Sequence, residues 1–110
     1  MNYTQQDIKE IVINALLDMK IEYYLDKEFF IKFQLELSYM NVKHDIKKPW
    51  ICIVSGPDYQ FGGVDGGYVF TIDDEPPHTI FFQDASGGQI PNSFIKKDEN
   101  GKYYREYILG

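Results

Sequence analysis

At 110 residues the chain has room for one domain, because a single core of this size already buries roughly two-thirds of the surface an unfolded chain exposes. Its 44% hydrophobic and 25% charged residues exclude the low-hydrophobicity profile that leaves a chain disordered. A formal charge of -6 at pH 7 argues against nucleic acid and acidic lipid as partners, since that binding takes its affinity from Lys and Arg set against phosphates.

Residues 1–110 are therefore read as one domain. The single cysteine, Cys52, cannot close an intramolecular disulfide, whereas a secreted domain of this size would often be stapled by several. The opening residues Met1 to Asp7 carry no basic leader pattern, and no run approaches the roughly 18 apolar residues of a membrane span. These features are read as a soluble, unprocessed cytoplasmic protein. Aromatic residues make up 16% of the chain and suit half-buried pleated surfaces, so sheet is expected in the second half.

Thr4 followed by Asp7 three residues on is a variant of the capping box, and it sets a negative charge at the positive end of a helix dipole. Ile8, Ile11, Val12, Ala15, Leu16 and Met19 then recur at spacings of three and four. That stripe predicts an amphipathic helix over about residues 5–20, with Ile13 and Leu17 widening its apolar face so that it lies across a sheet.

After the charged turn Asp26-Lys27-Glu28 the period changes to two. Phe29, Ile31, Phe33, Leu35, Leu37 and Tyr39 alternate with a second, more polar set, which predicts a long strand with one wet face. Residues 43–49 read as a polar loop. Trp50-Ile51-Cys52-Ile53-Val54 reads as a strand covered on both faces, with Cys52 a small core residue. Glycines and Pro57 predict a break between Ser55 and Gly67. Tyr68 to Asp73 and Thr79 to Asp84 are then two strands joined by the turn Asp74-Glu75-Pro76-Pro77-His78. Pro91 is expected to keep Ile90 to Phe94 off a central strand, and Asn100-Gly101 marks a turn before a strand over Tyr103 to Leu109. The expected fold class is α+β: one N-terminal amphipathic helix packed on a curled, mostly antiparallel sheet of four to five strands.

Chemistry-bearing patterns are few. The pairs Gly62-Gly63 and Gly66-Gly67 lead into a strand rather than a helix and lack the Lys and Ser or Thr of a phosphate loop, so they read as a mobile loop or a wide hairpin; Gly87-Gly88 reads likewise. His44-Asp45, and His78 beside Asp73, Asp74 and Glu75, are the only groupings with metal-ligand chemistry, and neither has ligand spacing. We therefore expect no metal, no cofactor and no catalytic constellation.

The informative pattern is one of charge. From Pro49 to Ile95 there is no Lys or Arg, while Asp58, Asp65, Asp73, Asp74, Glu75 and Asp84 supply six negative charges, equal to the whole net charge of the chain. With Tyr59, Phe61 and Tyr68 interleaved, these residues are the expected partner-binding set: complementary charge speeds encounter with a basic protein, and aromatic side chains anchor it. The competing explanation is that Asp is common in turns.

The opening helix with Ile8, Ile11 and Val12, the strand Trp50-Ile51-Cys52-Ile53-Val54, and the strand Tyr68-Val69-Phe70-Thr71-Ile72-Asp73 before a turn together resemble the small immunity proteins of bacterial polymorphic-toxin and contact-dependent inhibition systems. The resemblance implies a helix on a curled antiparallel sheet, in the manner of cystatin-like or nuclear-transport-factor-like folds, without the additional helices that close the latter's cone. It also implies neutralisation of a cognate toxin by binding, acidic members being suited to nucleases with basic clefts. Two other readings stand beside it. One is a small-ligand-binding or enzyme-like domain with a pocket between helix and sheet, lined by Phe33, Tyr39, Trp50 or Tyr68. The other is an assembly protein that pairs through a strand edge or an aromatic patch.

Overall fold

The structure, a computed structural model, describes residues 1–33, 46–58, 64–84 and 93–107. One helix, α1 (Gln5–Asp18), precedes six strands: β1 (Phe30–Phe33), β2 (Pro49–Asp58), β3 (Val64–Asp73), β4 (Ile80–Asp84), β5 (Ser93–Lys97) and β6 (Tyr103–Tyr107). They form one antiparallel sheet in the order β1-β2-β3-β4-β5-β6, so each strand lies beside its neighbours in sequence. The class is α+β, with six strands where four to five were expected.

The helix begins where the capping pattern puts it. The Asp7 amide donates to Thr4 Oγ1 at 3.2 Å and the Thr4 amide donates to Asp7 Oδ2 at 2.9 Å, a reciprocal capping box. It ends earlier than the apolar stripe predicts. Lys20 takes a left-handed φ of 57°, its amide donating to Leu17 O at 3.2 Å, and the Ile21 amide reaches back to Leu16 O at 2.9 Å. This is the closing geometry usually signalled by glycine, and a lysine in that place gives no sequence warning.

Ile8, Val12, Ala15 and Leu16 are fully buried, and the aliphatic three larger than alanine each contribute about 1.5–3 kcal/mol from burial alone. Opposite them stand Trp50, Cys52 and Val54 of β2, Phe70 and Ile72 of β3, Phe82 of β4 and Ile95 of β5. Leu17, expected to widen this face, is 62% exposed.

α1 packs on β1 and β2 and also on β6, at opposite ends of the strand order, so the sheet curls around the helix. Polar side chains tie it to both edges. Gln5 Nε2 donates to Ile31 O of β1 at 3.2 Å, and the Tyr103 amide of β6 donates to Asp18 Oδ2 at 3.1 Å. Both edge strands thus have part of their open backbone occupied from within the fold, which limits edge-to-edge pairing with other chains.

β1 covers Phe30–Phe33 of the long strand expected to run on to Met40, whose remainder lies outside the described residues. Two other expectations about strands are corrected. The break expected between Ser55 and Gly67 is replaced by paired strand as far as Asp58 and Val64, with Ser55 opposite Gly67, Gly56 opposite Gly66 and Pro57 opposite Asp65, and residues 59–63 lie outside the described residues. Glycine is needed at position 56 for a close approach: a Cβ there would lie 2.7 Å from the Tyr68 ring and 3.0 Å from Glu22 O. Pro57 is tolerated because β1 pairs with β2 only as far as Ile53. Finally Ser93 and Phe94, expected to be kept off a central strand, belong to β5, an inner strand between β4 and β6; Pro91 itself lies outside the described residues.

The face away from the helix is covered at its centre as well. Ile51, Thr71 and Phe81, adjacent across the register, are 8%, 0% and 1% exposed, and the Phe94 ring meets Phe81 edge-on at 5.9 Å. The expectation that Trp50 to Val54 is covered on both faces therefore holds at Ile51, whereas Ile53 is 41% exposed.

Candidate functional site

The sheet has two unlike ends. At one, the turn from β3 to β4 gathers Asp73, Asp74, Glu75 and His78. Asp73 is 3% exposed: its Oδ2 accepts from the Lys47 amide at 3.1 Å and its Oδ1 from the amides of Lys48 at 3.1 Å and Glu75 at 3.0 Å. Asp74 is 1% exposed, with Oδ1 accepting from the Tyr3 amide and from Trp50 Nε1, each at 2.9 Å, and Oδ2 accepting from the Asn2 amide at 2.7 Å. Burial on its own would push the Asp74 carboxyl up, but the amide of Asn2, the Trp50 indole and the amide of Tyr3 together hold it below its ordinary value. These two carboxylates fasten the chain start, the approach to β2 and the turn to one another, and their charge faces inward.

This corrects the expected partner-binding set at three positions. Asp73 and Asp74 are interior anchors. Tyr68 is 7% exposed, its ring stacked on Phe82 at 5.8 Å and its hydroxyl donating to Glu22 O at 3.0 Å. Glu75 remains at the surface, paired with Lys48 Nζ at 3.0 Å. The strand positions of Asp58, Asp65 and Asp84 lie away from this turn: Asp58 opposes Val64, Asp65 opposes Pro57, and Asp84 opposes Tyr68. Tyr59 and Phe61 lie outside the described residues, as do Gly62-Gly63, Gly87-Gly88, His44-Asp45 and Tyr39. The sequence places side by side acids that the register sets apart: Asp58 and Asp65 lie nearly the length of β3 from Asp73, and Asp84 lies opposite Tyr68, midway along that strand.

Phe33 and Trp50, expected as pocket lining, pack on each other with ring centres 5.2 Å apart. Trp50 is part of the core, with Phe33 set against it. Among the described residues a cavity lies elsewhere. It measures about 560 Å³ and lies between the start of the helix, the β3–β4 turn and strands β4, β5 and β6, lined by Tyr3, Ile11, His78, Ile80, Lys97 and Tyr103 among others. That size suits a small organic molecule. Its floor is aliphatic, with Ile80 and Ile95 8% and 4% exposed. Its polar groups are two phenols, an imidazole and ammonium groups.

Each polar group is held. The His78 amide donates to Glu75 O at 2.8 Å, and His78 Nδ1 lies 3.1 Å from Asp73 O. A carbonyl oxygen only accepts, so Nδ1 carries the proton and Nε2 is left for other partners. His78 sits at φ 59°, a left-handed conformation in which His is tolerated better than most residues. Its ring packs against Tyr3 at 4.7 Å. The Tyr3 phenol is pushed up by burial, then by Tyr103, Asp74 and Asp7, so it stays a hydrogen-bond donor at neutral pH. Lys97 Nζ stands 5.0 Å over the Tyr103 ring.

Cys52 is fully buried, and burial pushes its thiol up to about 12, which removes it from nucleophilic chemistry at neutral pH. Among the described residues no group of three His, Cys, Asp or Glu side chains is placed to hold a metal ion, and no helix is long and apolar enough to cross a membrane. Comparison with protein-family models, with curated proteins and with solved structures finds no match to this chain.

Sequence reading missed the cavity because its walls come from Tyr3, Ile11, the 77–80 turn and residues 94–103, none of which forms a local motif. One signal was available: a histidine flanked by Pro76-Pro77 and by strand residues is anchored at a turn rather than free on a surface.

Proposed function

We propose that this protein acts by binding a basic protein partner in the cytoplasm rather than by catalysis. In its narrowest form the reading is an immunity protein that occludes a cognate toxin, such as a nuclease with a basic cleft. The observation that supports it is the run from Pro49 to Ile95 without Lys or Arg, which forms β2, β3 and β4 at the centre of the sheet. Within it, the strand positions of Asp58 and Asp65 lie at the end away from the β3–β4 turn, next to Tyr59 and Phe61 in the sequence, and Asp84 closes β4 opposite Tyr68 on the way to that end. Acids set toward one end steer a basic partner to that end, and the interior use of Asp73 and Asp74 narrows the binding face to it.

The test is titration calorimetry against the product of the reading frame adjacent to this one. A one-to-one complex is expected, weakened as salt rises, and weakened at least tenfold by the triple reversal D58K/D65K/D84K. An unchanged affinity in the triple variant refutes the acidic face, and absence of any complex refutes the toxin reading.

A second reading, a small-ligand-binding domain, is favoured by the cavity between helix and sheet, whose volume and mixed lining are those of a ligand site. The two readings use opposite ends of the molecule.

A further inference from the structure

We infer that the cavity beside Tyr3 and His78 is a site for a small organic carboxylate with an apolar body. The inference rests on the ligand-binding reading and adds the ligand's charge and shape.

The argument starts from sign. In a chain of net charge -6, this cavity is lined, among the described residues, by Lys96 and Lys97 and by no carboxylate. Acids do stand nearby, and each faces a group that already uses it. Asp74 accepts from Asn2, Tyr3 and Trp50; Asp7 accepts from the Thr4 amide; Asp18 accepts from the Tyr103 amide; Glu106 pairs with Lys96 at 2.7 Å. Lys97 is different. Among the described residues it has no carboxylate partner, and its ammonium is held over the Tyr103 ring at the cavity wall. An ammonium set on an aromatic face beside an apolar floor gains most from an anion that brings its own apolar surface.

The neutral donors point the same way. The Tyr3 hydroxyl is kept protonated by burial and by its neighbours, and the Tyr103 phenol lies beside it. Ile11, Ile80, Ile95 and Pro77 supply the apolar wall. The set is one unpaired cation with uncharged polar groups, and the cavity lining includes neither an arginine fork nor a glycine nest. That balance suits the single charge of a carboxylate better than the double charge of a phosphate.

The experiment uses the full chain and a matched series of probes: octanoate, octanol and octylamine, with inorganic phosphate as the anion without an apolar body. Binding is read from amide shifts in two-dimensional NMR. Octanoate is expected to move Thr79, Ile80, Ile95 and Lys97, and to bind about tenfold more tightly than octanol, with octylamine weakest. Lys97→Gln is expected to cut octanoate affinity about tenfold while leaving octanol unchanged, and Lys9→Gln, whose ammonium lies over the Phe29 ring outside the cavity lining, to change octanoate less than twofold. Equal binding of octanoate and octanol at these residues overturns the anion inference and keeps the ligand-binding reading. So does an equal effect of the two lysine variants. Phosphate shifting the same residues as strongly as octanoate overturns the requirement for an apolar body. No binding by any member of the series overturns both the inference and the ligand-binding reading.

Discussion

Replacing Asp74 tests the account of the β3–β4 turn most directly. Its Oδ1 serves the Tyr3 amide and Trp50 Nε1 while Oδ2 serves the Asn2 amide, and the side chain is 1% exposed. A hydrogen bond to a charged group contributes about 1.5–3 kcal/mol, and a buried donor left without a partner costs its desolvation. In Asp74→Ala the amides of Asn2 and Tyr3 can turn to water, but the indole of Trp50, itself 4% exposed, cannot. We expect a loss of about 3–4 kcal/mol, and a melting point lower by about 15 °C for a domain of this length. Asp74→Asn keeps an Oδ1 acceptor for Tyr3 and Trp50 and fails only at Asn2, so it is expected to cost about 1–2 kcal/mol. The pH dependence follows from the depressed folded value of the carboxyl. The stability Asp74 contributes is fully present above its ordinary value of 3.8 and is lost as pH falls through the lower folded value, so wild type loses more than Asp74→Asn on acidification. Urea titrations followed by the fluorescence of Trp50, the one tryptophan, supply both quantities. An Asp74→Ala variant within about 0.5 kcal/mol of wild type, or an Asn variant less stable than the Ala variant, refutes this account.

Two further changes probe the close packing. Gly56→Ala places a methyl 2.7 Å from the Tyr68 ring and 3.0 Å from the Glu22 carbonyl, and the backbone oxygen cannot yield as a side chain could. A loss of about 1–3 kcal/mol in thermal or urea unfolding is expected, against a smaller one for Gly67→Ala, whose Cβ meets only Val54 O at 3.2 Å. Cys52, with its thiol raised to about 12 by burial, should resist alkylation at about pH 8 in the native state and react fully in denaturant; rapid native labelling would show that the β2 core opens.

Local patterns were legible where one short-range cause decides the structure. Thr4 with Asp7 fixed the helix start, the apolar stripe named Ile8, Val12, Ala15 and Leu16 as core, and Asn100-Gly101 marked the last turn, where Gly101 sits at φ 78°. Legibility failed where a distant partner decides. Gly56 reads as a breaker from its neighbours, but the reason for a glycine there is the Tyr68 ring across the hairpin. Asp73 and Asp74 read as surface acids because turns favour Asp, and only the return of the chain start and of residues 47–48 turns them into acceptors. The helix end was hidden because a lysine occupies the left-handed position.

The same contacts bear on whether the two proposed sites are coupled. Asp74 positions Tyr3 through the Tyr3 amide, Asp73 positions His78 through its carbonyl, and both residues line the cavity wall. Loosening that turn therefore disturbs the carboxylate site directly. The strand positions of Asp58, Asp65 and Asp84 lie farther along β2, β3 and β4, joined to the turn, among the described residues, through the sheet between them. A packed sheet transmits a shift only if it has a second arrangement to move into, and its centre holds Phe70, Ile72, Thr71 and Phe82 fully buried. Binding at the acidic end and binding in the cavity should thus be additive. A ligand in the cavity that changed partner affinity would show that the sheet, and not only its ends, takes part in function.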